Sequence, residues 1–223
     1  MVLKILNLMA KNIISFLVSA VWNYGCWCSF NEELLHGKGE PKNLVDEACK
    51  NLTMCARCNV IDNGEDCNPV ETFYNAPIAK PGEELDVQRH CTRANRRSEC
   101  RRSVCACETE FAAAIIRIFF ESTEKFNPDY KHSNGFNREL ECKSQTRSLS
   151  ETSGNVMYSI GGVSSPGRGS RGNTYDGEMK CCGDYPMRKP FFETPVRMCC
   201  ATGTYNPNTH DCCDGKINDV GAC

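Results

Sequence analysis

Ala48-Cys49-Lys50-Asn51-Leu52-Thr53-Met54-Cys55 is the stretch on which the fold turns. Apolar side chains at Leu44, Val45, Ala48, Leu52 and Cys55 recur near the helical period, which predicts a helix from Asp46 to about Val60. Upstream lies a compact aromatic block, Tyr24-Gly25-Cys26-Trp27-Cys28, followed by a loop from Ser29 to Pro41 that contains Gly37 and Gly39. Downstream, Val104-Cys105-Ala106-Cys107-Glu108 belongs to a second helical stretch. It reads as one long helix from Glu83 to about Lys125, strongest from Val104 to Phe120 and stopped by Asn127-Pro128. Between the two, Asp62 to Gly82 is dense in Asn-Gly, Asn-Pro, Ala-Pro and Pro-Gly steps, so it reads as turns.

The 223 residues include 18 cysteines, a density that points to a disulfide scaffold. The competing reading is a metal protein with paired thiolates and histidines. Only Cys55-Ala56-Arg57-Cys58 has the C-x-x-C spacing, and four histidines are scattered along the chain, so convergent zinc ligands are not expected. Disulfides persist in oxidising compartments, which places the chain outside the cell or in a lumen. A net charge of -2 argues against nucleic acid or any other strongly electrostatic partner for the whole molecule, while leaving room for local patches. No segment is long and apolar enough to span a bilayer. Residues 1–20 read either as an amphipathic first helix, with apolar side chains at 2, 5, 6, 9, 13, 16 and 17, or as a weak signal peptide ending in Val18-Ser19-Ala20.

From Lys143 to Lys180 the composition turns to Ser, Gly, Arg and Thr, too poor in apolar side chains to offset ordering, and reads as a flexible linker. A second cysteine unit follows, with adjacent pairs at 181/182, 199/200 and 212/213 and a last one at 223. The chain therefore divides into residues 1–142, a linker at 143–180 and a cysteine-rich module at 181–223. Eleven cysteines precede the linker and seven follow it. Both counts are odd, so a fully oxidised monomer needs a bridge between the two halves, or else a free or intermolecular thiol.

The three cysteine blocks around residues 26, 49 and 105 resemble the skeleton of a secreted phospholipase A2. That resemblance implies a mainly α, disulfide-rich fold: a long antiparallel helix pair with a small hairpin in the turn-rich stretch, completed here by a small irregular disulfide-stapled C-terminal module. It implies bridges Cys26–Cys142, Cys28–Cys49, Cys55–Cys107 and Cys91–Cys105, with Cys100 taking Cys67 or else Cys58. A further family bridge would join positions 48 and 114, and both are alanine here. The C-terminal run Cys199-Cys200 to Tyr205-Asn206-Pro207 and Cys212-Cys213-Asp214-Gly215 is similar to the repeats of galaxin-like proteins, which implies an extracellular, mineral-associated matrix; the alternative is a generic disulfide cap.

In that phospholipase family a histidine acts as general base, the next residue is an aspartate that holds Ca²⁺ with a glycine-rich loop, and a second aspartate orients the histidine. Here Leu52 stands at the base position, and a leucine has no lone pair for a proton. Thr53 stands at the calcium carboxylate, where a hydroxyl is a poor ligand for a hard cation. The loop, with Trp27, Ser29 and Asn31 at its ion-holding positions, has Ser29, Phe30 and Asn31 where backbone-permissive glycines are expected. Glu108 keeps a carboxylate at the orienting position. No catalytic residue, metal site or cofactor is therefore expected, with calcium needed only if the chain is instead a divergent calcium-dependent phospholipase A2. His36 and His90 are off the required helix position and read as solvent-facing. Arg89, Arg93, Arg96, Arg97, Arg101 and Arg102 make a basic cluster that either binds sulfated polysaccharide or anionic lipid, or is a solvated face balanced by Glu83, Glu84, Asp86 and Glu99. Asn51-Leu52-Thr53 is the chain's one N-glycosylation sequon. Together these residues indicate a secreted, non-catalytic protein with a structural or binding role toward matrix proteins, polysaccharide or lipid surfaces. The alternatives are the divergent hydrolase or a phospholipid- or fatty-acid-binding protein.

Overall fold

The structure, a computed structural model, describes residues 19–28, 37–76, 86–122, 126–143, 178–201 and 203–223. The first helix anticipated over 1–20 lies outside the described residues except at its end, where 19–21 are helical. Ser29 to His36, the second half of the anticipated hairpin region and nearly all of the linker also lie outside them. Among the described residues the chain is disulfide-rich, with helices and small antiparallel hairpins.

Helix α1 spans Leu44–Asn63. Asn43 caps it by accepting from the Asp46 N–H, and Asp46 and Glu47 in the first turn suit the positive end of the helix. It ends at Gly64, whose φ of 85° lets its N–H return to the Val60 carbonyl.

The stretch read as one helix from Glu83 to Lys125 is two: α2, Val87–Ala94, and α3, Glu99–Glu121. The break is made by side chains that outbid the helix for backbone groups. Asn95 is buried, accepts from the Asn75 N–H at 2.8 Å, and donates to the carbonyls of Asn75 and Cys91 at 3.0 and 3.2 Å. Ser98 then caps α3 by accepting from the Arg101 N–H. Cys91–Cys105 folds α2 back onto α3.

Helices α1 and α3 run antiparallel. Cys55 is bonded to Cys107, while Ala48, one turn and more earlier on α1, shares a cavity wall with Ala114, later on α3. The core lies between them and the aromatic block. Tyr24 is fully buried, with Phe126 at 4.8 Å and Tyr130 at 6.0 Å between ring centres. Two 3₁₀ turns, Pro128–Tyr130 and His132–Asn134, and a short helix α4, Arg138–Glu141, bring the chain back so that Cys26 bonds Cys142.

Asp46 ties this block to α1. Its fully buried carboxylate accepts from the backbone N–H groups of Cys26 at 2.9 Å, Trp27 at 2.8 Å and Lys42 at 2.9 Å. Burial pushes its pKa up and the three N–H donors pull it back down. Gly25, at φ 57°, lies against the same carboxylate, and a Cβ there would come within 2.4 Å of it.

The C-terminal unit is more regular than anticipated. Three antiparallel hairpins pair β1, Met179–Cys182, with β2, Lys189–Phe192; β3, Met198–Cys200, with β4, Gly203–Tyr205; and β5, His210–Cys213, with β6, Lys216–Asp219. The β5–β6 loop is Asp214-Gly215 with φ of 51° and 79°, the positive-φ pair that a two-residue hairpin turn requires. The second cysteine of each adjacent pair reaches forward, in Cys182–Cys199, Cys200–Cys212 and Cys213–Cys223. Cys181 reaches back to Cys58 on α1. With Cys28–Cys49 and Cys67–Cys100, all 18 cysteines are paired. Beside the Cys58–Cys181 bridge, Asp62 on α1 accepts from Tyr185 Oη at 2.8 Å and from Arg188 at 2.6 and 3.2 Å. The first hairpin is thus seated on α1 by a covalent bond and a two-pronged ion pair.

Removing the Asp46 carboxylate strands three backbone donors in the core. Asp46→Ala is expected to lower unfolding free energy by on the order of 3–5 kcal/mol in denaturant titrations of the oxidised chain. Asp46→Asn, which retains one acceptor oxygen, is expected to cost less; equal losses would show that the hydrogen bonds are not what matters.

Candidate functional site

The helix position that decides the chemistry faces the seam between α1 and α3. Leu52 is 3 % exposed and Thr53 fully buried, both fixed by the bridges of Cys49 and Cys55 on either side. The Thr53 hydroxyl has no hydrogen-bond partner among the described residues. Neither side chain offers a base, and no three His, Cys, Asp or Glu side chains gather as a metal site among the described residues.

Glu108 is 5 % exposed on α3. Its partner is Tyr74, which donates to Oε2 at 2.6 Å. Burial pushes the Glu108 carboxyl up to about 7, against the opposing pull of the Tyr74 hydrogen bond. Burial, and then the neighbouring Glu108, raises the Tyr74 phenol as well. A carboxyl with a pKa near 7 can give or take a proton, but here it meets a phenol in a closed pair rather than an imidazole.

Of the loop positions, Trp27 is described and Ser29 and Asn31 are not. The Trp27 ring is buried, donates to the Gly39 carbonyl at 3.1 Å, and lies under the cations of Lys50 and Arg57 at 5.7 and 5.8 Å. Gly37 packs directly on this ring, where a Cβ would come within 1.9 Å of it. Asn51 sits mid-helix on α1, half-buried in the α1–α3 seam.

Arg89, Arg93 and Arg96 line one shallow surface depression. Arg89, Arg93, Arg96, Arg97 and Arg101 are exposed and make no ion pair with a described carboxylate. Arg102 pairs with Glu99 at 3.8 Å and donates to the Arg96 carbonyl at 3.1 Å. Asp86, one of the anticipated balancing acids, spends its carboxylate on the Arg89 N–H at the start of α2. Glu83 and Glu84 lie outside the described residues. Arg101 and Arg102 sit in the first turn of α3, where the helix end is itself positive, so the two fields add.

One reading needs correcting. His90, taken from the sequence as solvent-facing, is 3 % exposed, with Nδ1 2.6 Å from the Asp86 carbonyl. It shares the inward face of α2 with Val87 and Cys91, one helical turn around, and that face is set by the Cys91–Cys105 bridge. His36 lies outside the described residues. Asp46, which gathers backbone N–H groups 19 and 20 residues away, and Tyr74, whose partner is 34 residues away, have no local sequence signal.

No protein-family model matches the chain. Among curated proteins it is similar to the group IID secretory phospholipase A2 of Mus musculus, 29% identical over 94 residues, which are 42% of this chain and 54% of that protein. The chain thus spans about half the length of the relative it matches. The likeness supports a distant relation to secreted phospholipases A2, and the nine disulfides fit an extracellular protein. No described helix is long and apolar enough to cross a membrane.

Glu108 gives a pH dependence with a definite sign. Its folded pKa of about 7 lies above the 4.5 of a free glutamate, so between these values the folded state binds the extra proton. Its contribution is complete below pH 4.5 and lost as pH rises to 7, on the order of 3 kcal/mol in all. Glu108→Gln is expected to flatten that slope in unfolding titrations run from pH 4 to 8; an unchanged slope would assign it to another group. Thr53→Val, which replaces an unpartnered hydroxyl by a methyl, is expected to be neutral or to stabilise by up to ~1 kcal/mol.

Proposed function

We propose that this chain is a secreted phospholipase-A2-like protein that acts by binding, and has a structural role in an extracellular, mineral-associated matrix. The observation that carries this reading is the Leu52-Thr53 pair. It stands between two cysteines that keep their bridges, at the place where hydrolysis would require a base and a calcium carboxylate. Two further observations agree with it. The Glu108 carboxylate is closed onto Tyr74, and the loop residue Trp27 is packed between Gly37 and two cations.

The binding surface in this reading is the arginine face of α2 and the start of α3. Apart from Arg102, which pairs with Glu99, its cations are exposed and unneutralised by described acids, as a sulfated polysaccharide would require. A surface of this kind recognises charge density rather than shape, each cation adding on the order of 1 kcal/mol near an anionic partner. The hairpin array with its chained disulfides, similar in sequence to galaxin-like repeats, is the second matrix-facing element. In this arrangement the first hairpin is fixed to α1, since Cys58–Cys181 and the Asp62–Arg188 pair hold it down.

The rival reading, a divergent calcium-dependent phospholipase A2, draws on the similarity to the mouse enzyme. Incubating the oxidised chain with phospholipid vesicles and calcium separates the two. Our reading expects no fatty-acid release above the uncatalysed rate; release abolished both by a chelator and by Glu108→Ala would establish the hydrolase. In parallel, the chain is expected to be retained on heparin in a salt-sensitive way. Replacing Arg93, Arg96, Arg97 and Arg101 by Ala should weaken that retention by on the order of a hundredfold or more. Retention on anionic vesicles without turnover, and none on heparin, would favour a lipid surface as the partner.

A further inference from the structure

The seam between α1 and α3 contains a cavity that neither the arginine surface nor the Glu108–Tyr74 pair uses. Its floor and sides are Ala48 and Leu52 of α1 and Phe111 and Ala114 of α3, and Pro186 and Met187 of the β1–β2 turn form its roof. Leu52 and Phe111 are each 3 % exposed, whereas Met187 at the mouth is 52 % exposed. The roof is held in place from both ends, by Cys181 bonded to Cys58 and by Tyr185 and Arg188 on Asp62. The cavity is therefore pre-formed rather than a chance gap beneath a loose loop.

Its chemistry is specific in three respects. The volume is about 220 Å³. That is larger than the roughly 150 Å³ apolar cavity that admits benzene and smaller than the ~300–1,000 Å³ of drug-sized sites, so a diacyl lipid does not fit. The walls are largely apolar; the polar lining is Glu110, Arg117 and Asn51, whose Oδ1 is buried without a hydrogen-bond partner. A buried acceptor of this kind asks for a donor. Water is a poor answer, because a buried water needs about three polar partners and the other two polar side chains of the lining, Glu110 and Arg117, are paired with each other. Finally, the charges at the rim cancel: Arg117 donates to Glu110 at 2.6 Å, so the guanidinium is already answered by a carboxylate. An anionic ligand gains little there.

We propose that this cavity binds a small neutral amphiphile, a chain of roughly six carbons bearing a hydroxyl or amide N–H. The chain lies among Ala48, Leu52, Phe111 and Ala114, the donor is held by Asn51 Oδ1, and the flexible thioether of Met187 closes over the end. This inference does not rest on the polysaccharide reading, and either can fail without the other.

The test uses the oxidised full-length chain and 1-hexanol, with hexanoate as the charged control. Binding is read by saturable chemical-shift changes and by the rise in melting temperature. Hexanol is expected to saturate, and hexanoate to bind roughly tenfold or more weakly at neutral pH. Ala114→Leu, which fills the cavity, and Asn51→Leu, which removes the acceptor, are each expected to weaken hexanol binding about tenfold or more. Near-UV circular dichroism checks that both variants keep the fold, and the two variants are read independently. The absence of a saturable response to hexanol, an affinity unchanged in a folded variant, or hexanoate binding as tightly as hexanol would each overturn the proposal.

Discussion

The bond between Cys55 and Cys107 fixes α1 against α3 near their middles, and most of the molecule is arranged by that one pin. It sets which residues meet along the seam: Ala48 opposite Ala114 on one side, and Asn59, which donates toward the Cys107 sulfur at 3.6 Å, on the other. With the helices fixed, Asp46 can gather the backbone of the aromatic block, because α1 presents its carboxylate at a constant height above Cys26 and Trp27. The far end of α1 becomes the seat for the first hairpin through Cys58 and Asp62. A helix that did chemistry in this position would need its buried face for a base and an ion ligand. Here that face is Leu52 and Thr53, and the helix serves as a beam with attachments at both ends.

The second constraint is the small amount of core in the C-terminal hairpins. Three two-stranded ribbons cannot bury enough apolar area to stand alone. Their chained disulfides compensate by linking each hairpin to the next and the first to α1. Phe191, covered by Arg197 at 5.8 Å, and the buried Cys181, Cys182 and Cys200 are what core there is. One consequence lies well away from those hairpins: the turn that connects the first two strands becomes a wall of the seam between the long helices.

What could be read from the sequence follows from how local each interaction is. The apolar stripe of α1 is local, and the helix lies where that stripe places it. The parity of the cysteines is arithmetic, so a bridge between the halves is needed in a fully oxidised monomer, but its identity as Cys58–Cys181 depends on how a hairpin 123 residues away docks. The break between α2 and α3 was hidden because Asn95 acts through the backbone of Asn75, 20 residues earlier in the chain. His90 was misjudged because its burial comes from the pairing of α2 with α3 rather than from its neighbours in sequence. The Asp214-Gly215 turn was there to be read, yet the cysteine pairs drew attention to staples rather than to strands. At the site, that Leu52 offers no base and Thr53 no carboxylate is a matter of residue identity and visible at once. The Glu108–Tyr74 pair and the cavity beneath Met187 depend on contacts between distant segments.

We propose that α1 keeps its bridges and holds no ion site of the kind hydrolysis would use. Calorimetric titration of calcium into the oxidised full-length chain tests this most directly, because it reads the site without requiring a substrate. The account predicts no saturable heat up to ~10 mM calcium, beyond the affinity of the weakest extracellular calcium modules. One-site, saturable uptake, weakened by replacing Thr53 with Val, would contradict it.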